Sequence, residues 1–191
     1  MKKIVLASAS PRRKELLEKI GLEFEVEPSN HEEHIDSAAE PHELAKSLSL
    51  KKARAVAEKH RGSLIIAADT FIVFEGRILG KPHSEAEAAE MLRTLNGKAH
   101  SAISGFTILD TETHKVFSRS VETMVHMKRL TPEEIEAYVR SGEPLGKAGG
   151  YAIQGVGAVL VKKIEGDYFN VVGLPLSALA ESLKEFGIHV L

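Results

Sequence analysis

The chain has 191 residues, 43% hydrophobic and 27% charged, with a formal net charge of −2. That length can bury a sizeable core in one domain or two closely joined lobes, and the charge supplies no global field toward nucleic acid or membrane. The absence of cysteine excludes disulfides, thiolate catalysis and zinc–thiolate sites, and fits a reducing cytosol.

Residues 3–7 predict a strand, Ser8 to Ser10 a tight turn, and 11–20 a helix stopped at Gly21. The N-terminus is basic, but its apolar run ends at Ala7 and meets Pro11, Arg12 and Arg13, so it does not read as a signal peptide. No segment approaches the length of a membrane span. Ser10 suits the N-cap and Pro11 the first helical position. Arg12, Arg13 and Lys14 then crowd the positive end of the helix dipole, where each cation is disfavoured by roughly 0.3–1 kcal/mol. An anion resolves that conflict. Backbone N–H groups, serine hydroxyls and two guanidiniums make a phosphate receptor. A solvated basic turn is the plain alternative.

Residues 22–27 alternate apolar and polar, which predicts a half-buried strand. Residues 28–41 read as a polar loop carrying His31, Glu32, Glu33 and His34, and 41–60 as a long helix. Residues 64–68 form a continuous apolar run suited to a central strand, ending at Asp69 and Thr70. Residues 71–74 and 78–79 predict a hairpin around Glu75, Gly76 and Arg77. Ser84 with Glu87 forms a capping box before a helix over 85–95, which Gly97 closes. Two longer strands follow over 100–109 and 116–128. Thr131, Pro132, Glu133 and Glu134 open a helix that ends near Gly142. Residues 147–157 carry four glycines and predict a loop of unusual backbone shape. Residues 158–164 and 168–172 read as a strand pair around Glu165, Gly166 and Asp167, and 177–186 as a final helix. Helices and strands intermix throughout, so the class is mixed α/β (α+β) with a mixed sheet. The strand-rich middle third forms one lobe of a two-lobed molecule.

Four places carry chemistry. Asp69 follows an apolar run, at the carboxyl end of a buried strand, where open α/β sheets place ligand groups. There it takes a proton from water, holds a divalent cation, or merely caps the strand. Lys52 completes a series with Leu44, Leu48 and Val56 along one helix face. Its ammonium either snorkels to the surface or meets phosphate in a cleft. Lys51 and Arg54 fall off that line and read as solvated. Lys81, between Gly80 and Pro82, sits on a stiff turn that matters only if it faces Asp69. Glu32 and Glu33 lie between two histidines without the spacing of a zinc helix. They read as one oxygen ligand for a hard cation shared with an aspartate, or as a solvated acidic loop. The other histidines read as surface or satisfied structural residues. No P-loop, dinucleotide fingerprint or nucleophile elbow is present: Leu92 stands where a P-loop needs its first glycine, and Gly155 to Gly157 precedes a strand pattern.

Five motifs then occur in order: Leu6 to Arg13; Ala68, Asp69, Thr70; Gly80, Lys81, Pro82; Lys147 to Gly155; and Val172 to Leu176. Together they resemble the Maf family of nucleoside triphosphate pyrophosphatases, over nearly the whole chain. The resemblance implies a single Maf-like domain over 1–191, without an independent second domain. Its fold would be a central mixed twisted sheet flanked by helices, two lobes with a deep cleft, like inosine triphosphatase. It implies hydrolysis of a nucleoside triphosphate to the monophosphate and pyrophosphate, with a divalent cation (Mg2+, Mn2+ or Co2+). It further implies a cytoplasmic homodimer that binds neither nucleic acid nor membrane. By the same resemblance Ser8, Arg12, Arg13, Lys52 and Lys81 hold phosphates, Asp69 is the proton acceptor, and Glu33 and Asp69 hold the metal. Arg12, Thr70 and Gln154 resemble the branch that prefers dTTP and UTP. The sister branch, which prefers 7-methyl-GTP, usually has Trp, Gln and Glu there. A glutamine amide can accept the N3–H of uracil or thymine and donate to a ring carbonyl, whereas a glutamate only accepts. Gly150 departs from the alanine often found in the family, an expected loosening of that loop. Two rivals remain: a nucleotide-binding regulator of septum formation without turnover, and another phosphotransfer enzyme, against which the missing P-loop counts.

Overall fold

Aliphatic and branched runs supply the strands of one mixed sheet. The computed structural model describes residues 2–29 and 39–191. Lys3–Leu6 (β1), Glu25–Val26 (β2), Ser63–Phe74 (β3), Arg77–Leu79 (β4), Ala99–Asp110 (β5), Val116–Met127 (β6) and Val161–Glu165 (β7) are ordered β2-β1-β3-β5-β6-β7, with β4 also beside β3. β1 runs parallel to β2 and β3, whereas β4 is antiparallel to β3 and β7 to β6. The helices are Pro11–Lys19 (α1), Pro41–Ala57 (α2), Glu85–Leu95 (α3), Pro132–Arg140 (α4), Tyr168–Val172 (α5) and Leu176–Leu183 (α6). The chain divides into two compact units, each made of separate stretches.

The first unit takes the chain up to Thr70, Ser104–Val121 and Gly173–Leu191. Its core joins Val5, Ala7, Ala53, Val56, Ile65, Ala67 and Leu109. Pro at the first helical position and a Glu40 carboxylate accepting from the His42 and Glu43 N–H groups start α2. Leu44, Leu48, Lys52 and Val56 are all buried on its inner face, as their spacing predicts. Gly105 of β5 lets that helix come close: a Cβ there would overlap the Ala45 carbonyl. Ser49 on α2 shares a 2.7 Å hydrogen bond with Thr107 of β5.

The second unit comprises Phe71–Ile103 and Glu122–Val172. Ile72, Leu92, Leu95, Val125, Ile135, Tyr138 and Leu160 belong to its core. Thr131 and Glu134 complete a reciprocal capping box at α4. At α3 only half of the expected box forms: Ser84 accepts from the Glu87 N–H, while the Glu87 carboxylate reaches back to His83.

Several sequence expectations are corrected. The strand expected to end at Ala68 continues to Phe74, with β1 paired to residues 63–66, β4 paired to 72–74, and β5 along its other side. Residues 22–27 contribute only the short β2, both of whose residues are exposed. Residues 168–172 form a helix rather than a strand: Asp167 accepts from the N–H groups of Phe169 and Asn170 and so caps it. The strand before it begins at Val161, since Gly155–Leu160 is a 3-10 turn, and its partner is β6.

Candidate active site

Ser8 lies just past β1, at the loop into α1, and is 6% exposed. The Ser8 hydroxyl accepts from the Ser10 N–H at 3.2 Å and from Arg13 Nη1 at 3.3 Å. Ser10 occupies the N-cap position as expected, but its side chain makes no cap bond. No acidic residue stands in the first turn of α1, so Arg12, Arg13 and Lys14 keep their unfavourable place on the dipole. Arg13 also donates through Nε to the Gly173 carbonyl at 2.9 Å and through Nη2 to Thr70 Oγ1 at 3.3 Å.

Asp69 lies inside β3 rather than at its end. It comes after Ile66, the last residue of β3 paired with β1, so the parallel neighbour has stopped where the carboxylate appears. Asp69 Oδ1 accepts from the Thr70 N–H at 2.9 Å. Its Oδ2 stands 3.0 Å from Lys52 Nζ, with both side chains 8% exposed. That approach is an ion pair, and no aligned hydrogen bond reaches Oδ2 among the described residues. Thr70 Oγ1 meets Ser104 Oγ at 2.8 Å and Gly173 O at 3.3 Å.

The structure therefore brings Ser8, Arg13, Lys52, Asp69 and Thr70 into one set of contacts within the first unit. Arg12 shares the first turn of α1. Lys81 and Gln154 belong to the second unit, where Lys81 is exposed and Gln154 half-buried. The turn carrying Lys81 is tied to the glycine loop by Gly149 N–H donating to Gly80 O at 2.9 Å. Gly149 and Gly150 both have positive φ, so glycine at 150 suits this backbone. Glu33 lies outside the described residues. Sequence reasoning does not single out Ser104, a serine among many, and Gly173, though inside the fifth motif, contributes a carbonyl, which side-chain identity does not reveal.

Among the described residues no three His, Cys, Asp or Glu stand together as a metal-binding group. The residues present still suit a hard divalent cation of the magnesium type, which takes one or two carboxylates and completes its shell with water and phosphate. Asp69 Oδ2, buried and without an aligned donor, is the oxygen that fits.

His100 is buried at 2% exposure, with Nε2 2.7 Å from Tyr151 Oη. Burial, helped by the nearby charge of His126, pushes its pKa down to about 4. It lies on β5 in the second unit, and its Nδ1 makes no hydrogen bond among the described residues. No described helix is long and apolar enough to cross a membrane.

The family described as "Maf-like protein" matches residues 3–186. A Bacillus cereus protein named dTTP/UTP pyrophosphatase is 50% identical over 190 residues, covering 100% of this chain and 93% of that protein. A Methanococcoides burtonii protein of the same name is 53% identical over 191 residues, covering 100% and 98%. Among solved structures, the Staphylococcus aureus Ham1 protein aligns over 84% of this chain and 80% of that chain, with TM-score 0.48 and 15% identity.

Proposed function

We propose that this chain, which belongs to the Maf-like protein family, is a nucleoside triphosphate pyrophosphatase acting on dTTP and UTP. Its full-length relatives at 50% and 53% identity carry that name. The observation that carries the reading is the buried Lys52–Asp69 pair beside the Ser8–Arg13–Thr70 contacts. A carboxylate is held there among cations, which is what hydrolysis of a polyanion needs.

Ser8, Arg12, Arg13, Lys52 and Lys81 bind the triphosphate, and the four cations among them offset its charge. Asp69, oriented by the Thr70 N–H and by Lys52, accepts a proton from a water that attacks the α-phosphorus. The bond from the α-phosphorus to the bridging oxygen breaks, and pyrophosphate leaves. Placement and charge stabilisation supply most of the acceleration. Asp69, together with Glu33, would hold a divalent cation (Mg2+, Mn2+ or Co2+), whose charge stabilises the departing pyrophosphate. Arg12, Thr70 and Gln154 select the pyrimidine base. The reading takes the working form to be a cytoplasmic homodimer that needs neither nucleic acid nor membrane.

The test is a panel of ordinary and modified triphosphates with magnesium, manganese or cobalt, with products resolved. Monophosphate and pyrophosphate are expected, fastest from dTTP and UTP, with turnover lost on chelation. Asp69→Asn should lower kcat by about 10²–10⁴-fold while nucleotide still binds. Release of orthophosphate, or near-normal turnover by Asp69→Asn, overturns the reading.

A further inference from the structure

Gln154 stands at the N-cap position of the 3-10 turn Gly155–Leu160, in extended backbone, yet its side chain makes no cap bond. The donors that an N-cap side chain ordinarily satisfies are the N–H groups two and three residues on. Here those belong to Val156 and Gly157, and both go to one distant carboxylate. Glu143 Oε1 accepts from Val156 N at 3.0 Å, and Oε2 from Gly157 N at 2.7 Å. Glu143 is itself held by its N–H on Ser141 Oγ at 3.2 Å. The chain on the other side of Gln154 is fixed too. Ala152 N donates to Tyr138 Oη at 3.0 Å, and Tyr151 Oη meets His100 Nε2 at 2.7 Å. Only glycine fits beside the clasp. At Gly155, with φ +69, a Cβ would overlap Glu143 Oε1, and at Gly157 one would sit 3.0 Å from Oε2.

We infer that Glu143 is a positioning residue that caps the turn in place of Gln154, so that the Gln154 amide is presented to the pyrimidine base. The inference rests on the reading above that Gln154 recognises the base. Two charge-assisted bonds hold the backbone two and three residues after Gln154, and Tyr138 holds it two residues before. A side chain that must match a donor–acceptor edge needs such a fixed backbone, since small displacements cost selectivity before they cost binding of the phosphates.

The test measures kcat/KM for dTTP and for dGTP in four proteins: wild type, Glu143→Gln, Gln154→Ala and the double variant. Glu143→Gln keeps the side-chain volume but replaces one accepting oxygen with an NH2 that faces a backbone donor. It should lower the dTTP preference about tenfold, mainly through KM. Gln154→Ala should remove the preference, and the double variant should match Gln154→Ala. Amide exchange at Val156 and Gly157 should speed up in Glu143→Gln. If Glu143→Gln proves unstable, Glu143→Asp, one methylene shorter, carries the same expectation more mildly. An unchanged preference in the Glu143 variants beside a lost one in Gln154→Ala overturns the inference alone, as do multiplying effects in the double variant. An unchanged preference in Gln154→Ala overturns the base assignment beneath it.

Discussion

Lys52 is 7% exposed, and an ammonium buried to that degree loses most of its hydration. Asp69 at 3.0 Å compensates it, and each side chain makes the other tolerable. Removing Lys52 leaves the Asp69 carboxylate buried without its ion-pair partner, at a cost of about 3–5 kcal/mol. Lys52→Met should therefore lower stability in urea by that amount. Asp69→Asn on the Lys52→Met background should recover part of the loss. A change below about 1 kcal/mol in Lys52→Met would mean that the pair does not govern the stability of this region. The Arg13 guanidinium has a different task, since its bonds to Thr70 Oγ1 and the Gly173 carbonyl tie the first turn of α1 to β3 and to the chain before α6.

At the scale of elements, α2 delivers Lys52 only because β5 offers no side chain at Gly105. A methyl group there would meet the Ala45 carbonyl, which is backbone and cannot rotate away. Gly105→Ala should force the helix off the sheet and destabilise by about 1–3 kcal/mol or more. Lys52 would withdraw from Asp69 with it, so turnover should fall further than at Gly80→Ala, where a Cβ meets nothing within 4 Å. Equal behaviour of the two variants in denaturation and turnover would show that the close approach carries no load. The same logic explains α5. Its five residues have strand composition, but the Asp167 carboxylate satisfies the first N–H groups, and Asn170 donates to Ala102 O and Thr123 Oγ1. Those partners select a helix over a strand.

Across the whole molecule, acid should act in two separate windows. The folded state keeps His100 neutral down to about pH 4, whereas an unfolded histidine takes up its proton near 6.5. Below 6.5 the unfolded chain therefore binds more protons. Stability declines as pH falls from 6.5 to about 4, by about 3 kcal/mol, and this contribution is flat above 6.5. Asp110 follows the same rule in a more acidic window. Burial alone would raise its pKa, but Lys2 at 2.6 Å and the N–H groups of Glu112 and Thr113 hold it well below the ordinary carboxylate range. Its contribution is intact above that range and is lost progressively as pH falls from the ordinary carboxylate value toward the lower, folded one. Thermal midpoints measured against pH should show the first decline in the wild type and lose it in His100→Gln. Persistence of that slope in the variant would assign it to another group.

Local patterns settled much of this protein in advance. The Leu44, Leu48, Lys52, Val56 series, the Thr131 capping box and the motif around Ser8 and Arg13 each act within a few residues, where propensity and periodicity operate. They placed most of the helices and the class of fold. The tertiary structure decided what depends on distant partners. Arg13 meets a carbonyl 160 residues away, and Glu143 caps a turn 13 residues beyond itself. β3 runs on past Asp69 with β1 on its first residues, β4 on its last and β5 beside it. Backbone donors and acceptors look alike at every position of a sequence, so only the folded chain shows which of them are satisfied, and by whom.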